Sequence, residues 1–159
     1  MLKYVNYDIV FQEIPDEVTL AINLSNCPNH CKGCHTPSLM GDIGEPLTVE
    51  VLDQLLTNYG HEVTCFCFMG GDSAPSELVL LAAYLGVQKI APVKVAWYSG
   101  KQELPQPFEI RWFHYIKLGP YVEQLGSLKS QSTNQRLLQR TDSNELVDIT
   151  CKFWKRSAC

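Results

Sequence analysis

The sequence predicts an α/β fold in one domain, residues 1–159, built as a partial α/β barrel of about five to six strands that is open on one side. Strand-like apolar segments alternate with helix-like segments, an order typical of parallel βα units. A chain of 159 residues is too short for a closed eight-stranded barrel, which takes about 250 residues. The 45% of hydrophobic and 19% of charged residues are usual for a domain with a buried core.

The first predicted strand is Thr19–Leu24, which follows a mixed apolar stretch at 4–14 and leads directly to Cys27. A loop rich in Cys, Pro, Gly, Asn and His extends to Pro46. Because turn-forming residues interrupt it so often, we expect no regular element there.

A helix is predicted to begin after the N-cap residue Thr48 and to close at Gly60. It places four apolar residues on one face: Leu52, Leu55, Leu56 and Tyr59. The next strand, 63–69, is almost wholly apolar, as in a strand covered on both faces. It leads to Gly70-Gly71-Asp72.

Ser76 predicts the cap of a second helix, 77–85, which Gly86 would stop. The remaining strand-like segments are 93–98, 108–116, 136–140 and 146–150. In parallel βα units the functional loops gather at the carboxyl ends of the strands. Both Cys27 and Gly70 follow predicted strands in this way.

The net charge and the length of the longest apolar run narrow the possible classes of protein. The net charge is −4, and this acidic balance argues against a nucleic-acid-binding protein, which needs a basic face. The longest apolar run, 78–85, falls far short of the roughly 20 residues of a membrane span. We therefore expect a cytoplasmic protein with no membrane partner. Seven cysteines in that compartment need an explanation other than disulfides, and the binding of a metal or cluster by some of them is favoured.

Cys27, Cys31 and Cys34 place three thiols within eight residues of one loop. Spacing this short lets the three sulfurs approach one small object. A 4Fe–4S cluster needs four ligands, so three local cysteines leave one iron open to a substrate, as in a catalytic zinc site.

Two other metal sites remain open at this point. A structural zinc ion would take the three cysteines together with His30 or His35. A conventional cluster would recruit a fourth cysteine, with four candidates: Cys65, Cys67, Cys151 and Cys159. Incidental buried thiols are disfavoured, because buried free cysteines act as small hydrophobes and this loop is polar.

The Cys-x3-Cys-x2-Cys spacing after the first strand, followed by Gly70-Gly71-Asp72 after the second, resembles the radical S-adenosylmethionine (SAM) superfamily. The resemblance implies that Cys27, Cys31 and Cys34 hold three irons of a 4Fe–4S cluster, while SAM chelates the fourth iron. It implies a barrel of that superfamily's open type. The cofactor-binding residues that follow from it are Gly33, Cys34, His35, Gly70, Gly71, Asp72 and Ser99.

Gly33 before Cys34, Asp72 in place of a glutamate, and the segment Thr133-Asn134-Gln135-Arg136 resemble the activating proteins of anaerobic (class III) ribonucleoside-triphosphate reductases. This resemblance covers residues 16–150. It implies two partners: the large reductase subunit as protein substrate, and a low-potential donor such as flavodoxin or ferredoxin. Pro75 and the segment 117–121 differ from the family pattern.

Two alternatives to this function remain: an activase of another glycyl-radical enzyme such as a formate-lyase, and a non-catalytic zinc- or cluster-stabilised binding module. For the remaining candidates we expect structural roles. Cys65 and Cys67 alternate on one strand and are predicted to be buried core thiols. Incidental roles are predicted for Cys151, Cys159 and the basic cluster of Lys152, Lys155 and Arg156. For Asn134 and Arg136 two readings stay open, a contact with cofactor or partner and a plain hairpin role.

Overall fold

A computed structural model of the chain describes residues 1–154 and residue 159. The strands in this part of the chain are β1 Lys3–Val10, β2 Thr19–Leu24, β3 Glu45–Pro46, β4 Cys65–Met69, β5 Lys94–Tyr98, β6 Tyr115–Leu118, β7 Arg136–Arg140 and β8 Leu146–Asp148. The α-helices are α1 Val49–Tyr59 and α2 Pro75–Val87, and short 3-10 helices lie at Pro37–Met40, Ile110–Trp112 and Thr150–Phe153.

The strands form one open mixed sheet in the order β3-β1-β2-β4-β5-β6-β7-β8. Strands β2, β4, β5 and β6 are parallel neighbours, whereas the two strands at each edge pair antiparallel. The predicted partial barrel of the radical SAM type, with five to six strands, is therefore wrong. In the described chain α-helices lie only between β2 and β4 and between β4 and β5. Antiparallel strands extend the sheet on both sides instead of curving it toward closure.

The two faces of the sheet are covered differently. On one face α1 and α2 pack their leucines against Phe66, Phe68 and Trp97 of the central strands. On the other face Cys65 and Cys67 contact apolar side chains from irregular segments, among them Ile14, Leu128 and Ile149. Because helices cover only one face, the domain has a single helical layer and no outer ring of the barrel kind.

The local predictions at β2, β7 and the start of α1 are confirmed. The Thr48 hydroxyl caps α1 by accepting a hydrogen bond from the Val51 N–H at 3.4 Å. Helix α2 begins at Pro75 instead of after Ser76, and it continues through Gly86. A Cβ at Gly86 would lie 2.9 Å from the Trp112 ring, so this glycine allows close packing and does not end the helix.

The predicted strand 108–116 is wrong over most of its length. A 3-10 turn occupies Ile110–Trp112, and β6 begins only at Tyr115. The aromatic residues of this segment that suggested a strand instead pack together: Phe108 stacks on Trp97 with ring centres 4.9 Å apart. Neither helix of the described residues has the length and apolar character needed to cross a membrane.

Candidate functional site

The cysteine loop leaves the sheet at the carboxyl end of β2. Around the three cysteines, residues Asn26 (φ 57°), His30 (φ 47°) and Gly33 (φ 76°) adopt left-handed backbone angles, which fold the segment into tight turns. The Cys27 N–H donates to the Leu39 carbonyl at 2.9 Å and fixes the start of the loop. The three thiols of the loop are free and half-buried.

The loop forms one wall of a pocket of about 310 Å³, a volume at the lower end of the usual range for small-ligand sites. The pocket lies where β2, β4, β5 and β6 end, as predicted for parallel strands. Six of the predicted site residues line it: Cys27, Cys31, Cys34, His35, Gly70 and Asp72. Two loops that are separate in sequence therefore share one pocket.

Asp72 is held by donors from two other loops. Its carboxylate accepts from the Ser99 hydroxyl at 2.5 Å, the Gly100 N–H at 2.8 Å and the Asn29 side-chain amide at 2.6 Å. Ser99 itself is fully buried and lies behind Asp72. Direct cofactor contact by Ser99 stays a prediction, whereas its observed contact orients Asp72.

Gly70 and Gly71 both adopt left-handed angles, φ 103° and 96°, which other residues rarely adopt. The Gly70 carbonyl accepts from the Trp97 indole at 2.8 Å. A Cβ at Gly71 would lie 3.0 Å from a Leu24 methyl and 3.1 Å from a Leu78 methyl. Gly71 therefore faces the hydrophobic core, and a side chain there would disturb packing before it reached the pocket.

Gly33 and His35 both face the segment 121–123. A Cβ at Gly33 would meet the Glu123 carboxylate at 3.4 Å, so this glycine faces Glu123 and does not line the pocket. The His35 ring packs edge-on against Tyr121, with ring centres 4.8 Å apart. Their predicted contacts with a cofactor stay predictions.

Lys117 is a pocket residue that sequence reasoning missed as a site residue, as it also missed Asn29. It is buried, and its Nζ donates to the carbonyls of Ser99 at 3.0 Å and Gly119 at 2.8 Å. Burial lowers the pKa of Lys117 to about 8, although the nearby acidic groups, Asp72 first, oppose this shift. A lone lysine inside an apolar strand is the sequence signal that identifies it.

The other cysteines lie away from the pocket. Cys65 and Cys67 are fully buried, as predicted, and burial raises the pKa of both thiols well above the usual value. Cys151 and Cys159 form a disulfide, which corrects the expectation that disulfides play no part. Their Cα atoms lie 5.7 Å apart. None of these four lines the pocket formed by the described residues.

The candidate residues near the C-terminus make contacts within the chain where the structure describes them. Asn134 donates to the Pro120 carbonyl at 3.0 Å, and Arg136 pairs with Asp148 at 3.5 Å. Lys152 pairs with Asp16 at 3.5 Å. Lys155 and Arg156 of the predicted basic cluster lie outside the described residues.

The residues around the pocket fit an iron–sulfur cluster by their chemistry. Thiolates are the ligands that such clusters take, and the three free thiols of the loop share the pocket with a fixed carboxylate, Asp72, and a buried cation, Lys117. Over residues 1–154 and 159, no three His, Cys, Asp or Glu side chains are grouped as ligands of a metal ion. All three thiols line the pocket.

Comparison with known protein families agrees with this donor set. A family model described as a 4Fe-4S single cluster domain matches residues 18–104, more than half of the chain. The match includes the cysteine loop, the Gly70–Asp72 turn and the Ser99-Gly100 turn that contacts it. Neither curated proteins nor solved structures gave a match.

Proposed function

This chain belongs to the 4Fe-4S single cluster domain family, and from that premise we propose that it is a radical SAM activase. Cys27, Cys31 and Cys34 hold three irons of a 4Fe–4S cluster and leave the fourth iron for the methionine end of SAM. When bound and reduced, the cluster supplies the electron that cleaves SAM into methionine and a 5′-deoxyadenosyl radical. The observation that carries this proposal is that the three free thiols share one pocket with Gly70 and Asp72.

The chain's own residues supply binding and orientation. Asp72 offers a carboxylate to the amino group of the ligand, and three hydrogen bonds keep it in place before the ligand arrives. Such preorganisation avoids a rearrangement at the moment of reaction. The apolar side chains of Leu24, Leu39 and Met69 line the pocket and limit its water content.

The substrate in this proposal is a protein, the large subunit of an anaerobic ribonucleoside-triphosphate reductase, which gives up a hydrogen atom from a glycine. The half-buried thiols support it, because a glycine loop can approach a site that is not closed over. A flavodoxin or ferredoxin supplies the electron. Because the sheet is not the barrel that the resemblance implied, the proposal rests on the pocket and the family and not on the fold.

Anaerobic reconstitution with iron and sulfide, followed by reduction with SAM, tests the proposal. We expect about four irons per chain, an electron paramagnetic resonance (EPR) signal that changes when SAM is added, and formation of 5′-deoxyadenosine. Cys65→Ala is the matched control, since it removes a thiol that does not line the pocket. A cluster-loaded protein that forms no 5′-deoxyadenosine would refute the activase.

One observation favours a second candidate, a zinc-stabilised binding module. His35 lines the pocket with the three cysteines and offers a fourth ligand of the kind zinc accepts. One zinc per chain in purified protein, with no uptake of iron and sulfide, would support the module.

The other alternative is an activase of a different glycyl-radical enzyme. Appearance of a glycyl-radical EPR doublet on a formate-lyase, and not on a reductase, would identify that class of activase.

A further inference from the structure

The side-chain amide of Asn29 lies between a proposed cluster ligand and the carboxylate of the facing loop. Its nitrogen donates to the Cys27 sulfur at 3.6 Å, which is within reach for a sulfur acceptor, and to Asp72 Oδ2 at 2.6 Å. A primary amide carries two N–H groups, so both contacts are made at once. Asn29 is half-buried and belongs to the cysteine loop itself.

Gly100 is the third residue, after Cys27 and Asp72, that lies against the Asn29 side chain. A Cβ at Gly100 would lie 2.4 Å from the Asn29 amide nitrogen and 2.9 Å from its Cγ. The backbone of Gly100 is outside the left-handed range, so its conformation does not require glycine. Its N–H donates to the same Asp72 oxygen at 2.8 Å. The absence of a side chain at position 100 is therefore what makes room for the Asn29 amide.

We propose that Asn29 is a positioning residue that sets the reduction potential of the bound cluster through its hydrogen bond to the Cys27 sulfur. This inference rests on the proposed cluster. Reduction adds negative charge to a cluster and its thiolates, and an N–H directed at a sulfur stabilises the more negative state and raises the potential.

Asp72 and Gly100 give this hydrogen bond its geometry. Asp72 anchors one N–H of the amide, which directs the other toward Cys27, and the bare Cα of Gly100 permits the close approach. The three loops at the carboxyl ends of β2, β4 and β5 are thereby joined through one side chain.

Two substitutions disturb the hydrogen bond by independent routes. Asn29→Leu keeps the approximate shape and removes both N–H groups, whereas Gly100→Ala keeps Asn29 and displaces it. Gly41→Ala is the matched control, because Gly41 lies outside the left-handed range and its added Cβ would make only ordinary contacts, at 3.5 Å or more. All four proteins are reconstituted with iron and sulfide and poised anaerobically against redox dyes.

The reduced fraction is measured by EPR, together with iron content and thermal stability. At equal poise we expect the ratio of reduced to oxidised cluster to fall about tenfold in Asn29→Leu and in Gly100→Ala, which is about 59 mV for a one-electron couple. Iron content is expected to stay at the wild-type level, and Gly41→Ala is expected to match wild type throughout.

An unchanged ratio in a cluster-loaded Gly100→Ala protein overturns the role of Asn29, whatever happens in Asn29→Leu. If the wild type also forms 5′-deoxyadenosine in that case, the proposed function stands without this inference. The role of Asn29 is also overturned if both variants fail to hold iron while Gly41→Ala holds it. Asn29 would then be needed for assembly of the cluster and not for its potential. A wild-type chain that takes up no cluster removes the proposed function and this inference together.

Discussion

The four parallel strands carry polar side chains at both ends. At the amino ends these side chains bond to one another, whereas at the carboxyl ends they face a pocket. At the amino ends lie Glu17, Thr64, Lys94 and Tyr115, one at the start of each strand. The Glu17 carboxylate, only 3% exposed, bonds to all three others: to Thr64 at 2.5 Å, to Tyr115 at 2.7 Å and to Lys94. Every member of this amino-end cluster therefore has a partner within the cluster.

At the carboxyl ends the polar groups face a pocket. The thiols of the cysteine loop are free, and Lys117 is buried there with its pKa lowered to about 8. A lowered lysine pKa means that folding disfavours the charge, whereas the pKa of Lys94 is raised, chiefly by its hydrogen bond to Glu17. The comparison teaches that the amino ends use charge for stability, while the carboxyl ends retain charge at some cost in stability.

The largest effect is expected at the carboxyl ends. Replacing any one of Cys27, Cys31 or Cys34 by Ala should abolish cluster assembly and SAM cleavage, because three thiolates are the minimum set for a cluster with one open iron. The fold should be retained, since the thiols are half-buried loop side chains. Iron content and circular dichroism measure the two outcomes; full 5′-deoxyadenosine formation in any of these variants contradicts the ligand assignment.

A substitution at the amino ends of the strands should have the opposite result, a loss of stability with the cluster retained. Glu17→Ala should lower the free energy of unfolding by about 3 kcal/mol, because it strips a buried network of its shared acceptor. Iron uptake should be unaffected. Chemical denaturation compared with the wild type gives the loss, and an equal loss of iron would mean that the two ends are not independent.

The same residue predicts a pH dependence. Burial alone raises the pKa of Glu17, but hydrogen bonds from Lys94, Thr64 and Tyr115 together lower it below the ordinary 4.5. A carboxylate with a lowered pKa stabilises the fold fully above its unfolded value and loses this contribution as the pH falls through the folded value. The stability difference between wild type and Glu17→Ala should therefore shrink below about pH 4.5; a constant difference down to pH 3 would contradict it.

The contrast between the two ends also marks what a sequence can predict. The cap at Thr48 and the strand Thr19–Leu24 depend on neighbouring residues, so local patterns predicted them. The cysteine loop and the Gly70–Asp72 turn were placed in one pocket correctly, because both follow parallel strands. The amino-end cluster escaped prediction, since Glu17 and Tyr115 are 98 positions apart.

The barrel prediction failed for a different reason. It used the alternation of strands and helices, the chain length and the family resemblance, and it contained no information on the direction of the edge strands. β1 pairs antiparallel with β2, and β7 pairs antiparallel with β6. The hydrophobic pattern of a strand does not specify whether it pairs parallel or antiparallel with its neighbour. The cofactor contact of Gly71 was assigned from a motif and stays a prediction, whereas the packing of its Cα against Leu24 and Leu78 of the core was not foreseen.

A smaller effect is expected from the buried thiols between the two ends. The double change Cys65→Ala and Cys67→Ala should lower the free energy of unfolding by about 1–2 kcal/mol, since it trims two small core side chains. All cluster iron should remain. Loss of about one iron in four would make one of them a ligand and restore the four-cysteine cluster, so iron analysis of the double variant is decisive.

The smallest expected change in the free energy of unfolding is that of Lys117→Met, and its sign is the most informative. Lys117→Met removes the buried cation, and a pKa lowered from 10.5 to about 8 corresponds to a folding penalty of about 3 kcal/mol at neutral pH. The variant also loses two hydrogen bonds to backbone carbonyls, each worth about 1 kcal/mol. We therefore expect the cluster-free protein to become more stable by about 1 kcal/mol in chemical denaturation.

Lys94→Met is the matched control at the amino ends, and it should be destabilising because it takes a partner from buried Glu17. The two lysines also predict opposite behaviour in alkali. Since the folded pKa of Lys117 lies below its unfolded value, its penalty is complete below about pH 8 and fades toward pH 10.5, so the advantage of Lys117→Met should fade over the same range. A Lys117→Met protein less stable than wild type at neutral pH would show that both ends use their charges for stability, and the contrast between them would fail.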